Sequence, residues 1–144
     1  MNNKLNSGET RGTILCPPMK ELSTANILVI DDSKHIRDFV SAVLQREGAA
    51  VVGSATAREA LEICRLRPFD LIMVDLRMPD MDGFETLKLL RSQQVAAPMI
   101  AFSAGDEQQQ HVDEAGFACF MSKPVERATL VDKIRELLNL PTEV

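Results

Sequence analysis

Five short apolar runs punctuate this chain of 144 residues: Ile27–Ile30, Ala49–Gly53, Leu71–Val74, Met99–Phe102 and Ala118–Met121. Runs of that length, flanked by polar residues, predict buried strands. Between them the apolar period changes to that of a helix. Ile36, Phe39, Val40, Val43 and Leu44 follow the first run, with Ser33 placed to cap them. Ala60, Leu61 and Cys64 share a face of Ala57–Leu66, and Phe84, Leu87 and Leu90 mark a helix starting near Asp82. Asp106–Ala115 is a polar, glutamine-rich helix, and Leu130, Ile134, Leu137 and Leu138 mark a last one. Gly48, Pro68, Gly116 and Pro141 stand where helices should stop. Strands apolar on both faces and alternating with helices predict an α/β fold, a doubly wound parallel sheet covered on both sides. Spacing alone does not fix the order of its strands.

Composition narrows the function. The net charge of −5 and the absence of Trp and Tyr argue against direct nucleic-acid binding. No apolar run approaches the roughly 20 residues that would span a bilayer, so the expectation is a soluble protein without membrane attachment. Cys16, Cys64 and Cys119 are odd in number and match no metal or redox spacing, which predicts free thiols and a cytoplasmic location. Residues 1–24, with Gly8, Gly12 and Pro17-Pro18, predict a flexible arm ahead of a domain over 25–140, and 141–144 a short tail.

In a doubly wound sheet, ligands bind beyond the carboxyl ends of the strands. Asp31 and Asp32 follow the first predicted strand, Asp75 the third and Ser103 the fourth; Lys123, then Pro124, come soon after the fifth. Three carboxylates brought together need a cation, and oxygen ligands without His or Cys favour Mg²⁺. A lysine and a hydroxyl opposite them suit a phosphoryl group. Asp75, the lone carboxylate ending the central run, is the natural nucleophile for an aspartyl phosphate.

The motifs ILVIDDS at 27–33, DLIMVDLRMPDMDG at 70–83, PMIAFSA at 98–104 and FMSKP at 120–124 closely resemble the receiver domain of two-component response regulators. The resemblance implies a flavodoxin-like (βα)5 sheet of order 2-1-3-4-5. It implies that Asp75 takes a phosphoryl group from a histidine kinase or histidine phosphotransfer protein, the domain catalysing its own phosphorylation and dephosphorylation. Asp31, Asp32, Asp75 and the backbone carbonyl of Arg77 would hold Mg²⁺. Lys123 would pair with the phosphate, before a cis Lys123–Pro124 bond. Ser103 and Phe120 would form the switch, and the surface of the fourth helix, fifth strand and fifth helix would meet a downstream protein. Ser103 stands where Thr is frequent and Phe120 where Tyr is frequent. Arg77, two residues beyond Asp75, is bulky and cationic, and is expected to shield the acyl phosphate from water.

Other readings fit less well. A haloacid-dehalogenase-type phosphatase needs a second Asp two residues after its nucleophile; Arg77 and Ser33 stand there instead. Asp80-Met81-Asp82-Gly83 resembles part of an EF-hand, but Met78 and Leu89 fall where its end ligands belong. Asp80 and Asp82 are expected to shape a loop, with Glu85 in the first turn of the helix and Gly83 easing the turn. A module cut from a hybrid histidine kinase, or a receiver that binds partners without phosphorylation, are the alternatives.

Overall fold

The computed structural model describes residues 22–105 and 109–139. Residues 1–21 of the predicted arm, residues 106–108, and residues 140–144, which include the predicted tail, lie outside them. A 3-10 turn, Leu22–Thr24, leads into β1 (Asn26–Ile30), α1 (Lys34–Arg46), β2 (Ala50–Ser54), α2 (Ala57–Leu66) and β3 (Leu71–Asp75). Then come α3 (Gly83–Ser92), β4 (Met99–Ser103), α4 (Gln109–Ala115), β5 (Cys119–Ser122) and α5 (Arg127–Leu137).

The five strands are parallel and lie in the order β2-β1-β3-β4-β5, the order the resemblance implies. β3 and β4 are buried along their whole length, as inner strands covered on both faces must be. One face carries Ile27, Val29, Met73, Ile100 and Phe102 against Val40 and Leu44 of α1 and Leu130 and Ile134 of α5. The other carries Leu28, Ile30, Ile72, Val74 and Ala101 against Ala60 of α2, Leu87 and Leu90 of α3 and Val112 of α4. The alternation along each strand is the two-residue pleat.

The structure departs from the sequence expectations in four places. β3 and β4 each run one residue beyond their apolar runs, so Asp75 and Ser103 belong to the ladder: Leu76 N–H donates to Phe102 O at 3.0 Å. Leu22, assigned to the arm, is 2 % exposed and packs in the α1/α5 layer. Phe39 lies at the margin of the apolar stripe of α1 and is 41 % exposed.

The fourth departure concerns Gly83. Its φ is not among the positive ones, so the turn does not require glycine there. What requires it is proximity: a Cβ would lie 2.7 Å from the Leu76 backbone and 2.8 Å from Asp75 O. The start of α3 presses directly on the strand end that carries Asp75. Asp82 caps this helix by accepting from Glu85 N–H at 2.8 Å, while Glu85 accepts from Asp82 N–H at 3.1 Å. This capping box fixes the helix start and occupies the two carboxylates in local work. Gly83→Ala should lower stability by about 1–3 kcal/mol, since backbone has to give way. Denaturant unfolding showing a loss no larger than that of an exposed helix position would contradict the close approach.

Candidate functional site

The carboxyl ends of β1, β3, β4 and β5 bring Asp31, Asp75, Ser103 and Lys123 to one rim. Asp31 leaves β1 with its N–H bonded to Ser54 O at 3.0 Å and is fully buried. Its Oδ1 accepts from Ser33 N–H at 2.8 Å, a local turn that also sets Ser33 as the cap of α1. Asp32, next along, is exposed. Asp75 is 3 % exposed, and its Oδ1 accepts from Arg77 N–H at 3.1 Å. Carboxylate oxygens of Asp31, Asp32 and Asp75 lie within 4.8 Å of one another.

Lys123 reaches this group from the far side. Its N–H donates to Ser103 O at 2.9 Å, and the Lys123–Pro124 peptide bond is cis. Lys123 Nζ stands 2.9 Å from Asp31 Oδ2 and 3.5 Å from Asp75 Oδ1. The approach to Asp31 Oδ2 has ion-pair distance but not hydrogen-bond direction, so this buried oxygen has a charge beside it and no directed donor. Buried oxygens of that kind are costly, and a hard cation accepts them readily. On both counts, donor set and orphaned oxygen, the residues fit Mg²⁺. Ser103 is fully buried, and its Oγ accepts from Gly105 N–H at 3.0 Å. Phe120, on β5, is half-buried against the α2/α3/α4 layer.

Burial pushes the Asp75 carboxyl up to about 6 from an ordinary 3.8, with the Asp31 carboxylate adding to the rise; the Arg77 N–H, and Lys123 through its charge and a hydrogen bond, oppose it. A carboxylate so placed is more basic than a free one and still largely ionised at neutral pH, which suits a nucleophile.

Three contributors were not singled out from the sequence. Arg37 Nη1 donates to Asp31 O at 2.7 Å, bracing the β1 end from α1. Gly105 lies so close under the Arg77 guanidinium that a Cβ there would collide with it, which joins the loops after β3 and β4. The Phe102 ring lies under Lys123 Nζ, 5.0 Å from its centroid. The first two had no signal beyond residue type, and Phe102 was indistinguishable from core. A cleft of about 500 Å³ between the ends of α2 and α3, lined by Cys64, Arg67, Phe69 and Val95, holds none of the rim residues. Cys64 and Cys119 are half-buried free thiols, and burial raises both; Cys16 lies outside the described residues.

The family description of the response regulator receiver domain matches residues 27–135. The chain belongs to the response regulator receiver family. The receiver is 31 % identical over 122 residues to a 14.6 kDa protein in the sodA1 3' region of Leptolyngbya boryana, covering 82 % of this chain and 93 % of that one. It is 33 % identical to the alkaline phosphatase synthesis transcriptional regulatory protein SphR of Synechococcus elongatus, covering 94 % of this chain and 58 % of that protein. The chain thus spans little more than half of that regulator. Among solved structures, chemotaxis protein CheY4 of Vibrio cholerae matches with a TM-score of 0.74 and 32 % identity, over 78 % of this chain and 98 % of that one. Membership implies phosphorelay signalling; receivers work with histidine kinases or phosphotransfer proteins and generally bind Mg²⁺ in an acidic pocket. Among the described residues no helix is long and apolar enough to cross a membrane.

The raised pKa of Asp75 has a consequence for stability. Its folded value, about 6, exceeds the ordinary 3.8, so the folded receiver binds the proton more tightly than the unfolded chain. The contribution of this group is therefore most favourable below pH 3.8 and is lost as pH rises through 6. In metal-free protein Asp75→Asn should stabilise at pH 7 by about 1–3 kcal/mol, and by much less at pH 4. Urea unfolding of both proteins at the two pH values checks this; a gap independent of pH would contradict it.

Proposed function

We propose that this receiver accepts a phosphoryl group on Asp75, in a Mg²⁺-dependent transfer from a phosphohistidine of a partner kinase or phosphotransfer protein. The observation that carries the reading is Asp75 itself: a buried carboxylate at the end of a central strand, 3.5 Å from Lys123 Nζ and grouped with Asp31 and Asp32. An oxygen of Asp75 attacks phosphorus in line, the N–P bond breaks, and its electron pair returns to the imidazole of the donor. Asp31, Asp32, Asp75 and the Arg77 carbonyl would hold Mg²⁺, which supplies charge neutralisation at the phosphoryl oxygens. Lys123 balances the remaining charge, and Ser103, whose Oγ accepts from Gly105 N–H, still has a proton to donate to a phosphoryl oxygen.

Drawing Ser103 toward the phosphoryl pulls on the loop before α4 and opens space for Phe120 to turn inward. The surface of α4, β5 and α5 then changes its preference for a downstream protein, a two-state equilibrium biased by one charged group. On this reading the receiver is a cytoplasmic phosphoprotein whose domain is residues 25–140 with Leu22 packed against it.

Incubation with acetyl phosphate and Mg²⁺, followed by intact mass, should show one added phosphoryl group. Asp75→Asn or omission of Mg²⁺ should abolish it, and an unchanged parent mass under phosphodonor and phosphoramidate alike would overturn the reading. Arg77 is exposed, with its guanidinium against Gly105 beside the rim. It shields the acyl phosphate from water, so Arg77→Ala should shorten the phosphoryl lifetime severalfold; an unchanged decay rate would remove Arg77 from this role.

A further inference from the structure

Lys123 poses a question of placement. Its ammonium sits on a flexible four-carbon stem, among carboxylates, only 17 % exposed. Asp31 Oδ2, its nearest oxygen at 2.9 Å, is not joined to it by a directed hydrogen bond, and Asp75 Oδ1 lies further off at 3.5 Å. The carboxylates therefore hold the ammonium by charge, Asp75 also by a hydrogen bond at the limit of range, and neither contact is a short directed one. What lies beneath it is the ring of Phe102, its centroid 5.0 Å from Nζ, within the roughly 6 Å over which a ring face attracts a cation.

Phe102 is well suited to hold a charge in place. It is fully buried, in a strand buried at every position, so its ring has little freedom to move. It is the register partner of Asp75 across the β3–β4 pair, and its carbonyl accepts from Leu76 N–H at 3.0 Å. The ladder that sets the height of the Asp75 carboxylate at the rim therefore also sets the height of the ring below Lys123. A ring face takes none of the three ammonium protons and leaves the charge intact. An aliphatic side chain would fill the same space without the attraction.

We propose that Phe102 is a positioning residue for Lys123, its ring face holding the ammonium at the rim with charge and hydrogen-bond donors free for the phosphoryl group. This rests on the reading of Asp75 as phosphoacceptor. The role is separable from packing, because fluorine drains the negative face of the ring while keeping its shape. Phe102 is replaced site-specifically by mono-, di- and trifluorophenylalanine in the full chain. Two quantities are followed: the rate of phosphorylation by acetyl phosphate with Mg²⁺, and the upfield ring-current shift of the Lys123 Hε protons in the metal-free protein.

The rate should fall stepwise with fluorine number, about fivefold in all, as expected for losing one partly desolvated cation–ring contact. The Hε shift should shrink along the same series while the thermal midpoint holds. If either the rate or the shift stays flat across a series that remains folded, the proposal is overturned. A drop in the midpoint that accounts for the whole rate loss overturns it as well, by assigning Phe102 to packing alone. If the parent takes no phosphoryl group, the phosphoacceptor reading is what fails, and the metal-free shift series still decides whether the ring holds the lysine.

Discussion

Two carboxylates held close together out of water repel one another, and the rim of this sheet is organised around that repulsion. Asp31 is fully buried and Asp75 nearly so. Each uses one oxygen to accept a backbone N–H, from Ser33 and from Arg77, and both face Lys123. Removing the lysine would leave two poorly compensated charges in a low-dielectric site, the costly half of a buried ion pair. The three groups come from β1, β3 and the far end of β5, so the arrangement exists only when four of the five strands are in register. The site and the sheet order are in this sense one constraint.

Much of this was legible because strands covered on both faces must be apolar throughout. The runs LIMV and MIAF marked β3 and β4, and the residue after each run, Asp75 and Ser103, marked the rim. Their membership of the ladder was not legible, since an apolar count stops where side chains turn polar while backbone pairing does not. The order of the strands was not legible from spacing either, because an apolar run shows how far a strand is covered and not which neighbour it pairs with; the motif resemblance supplied it. Phe39 misled for a local reason: it lies at the edge of a stripe whose centre is Ile36, Val40 and Leu44, so the helix period includes it while the packing leaves it out. Gly83 was read as a turn residue, whereas a close approach of two backbones is visible only when both are in place.

The two layers that cover the sheet are unequal. α1 and α5 close over β1 and β4 with large side chains such as Leu44, Leu130 and Ile134 at zero exposure. On the other face α2 fully buries only Ala57 and Ala60, and Leu61, Ile63 and Cys64 are half-covered. α3 is the firm member there, joined to the Asp75–Leu76 backbone by Gly83 and started by a reciprocal cap. The strand that carries Asp75 is thus braced by α3, while the same layer becomes looser to either side.

α4 is the extreme case in that looser layer. Its described residues are Gln109–Ala115, and Val112 is their fully buried anchor. The exposed His111 rests its ring 4.7 Å from that of Phe84 on α3. Even over its full predicted extent, Asp106–Ala115, it falls short of the about 12–15 residues at which a helix alone is marginal in water. Its coiling and its attachment to the sheet must rise and fall together. A disturbance passing from the Ser103 loop into α4 would then travel as melting and re-forming of a turn, a change of order, rather than as the tilt of a rigid rod.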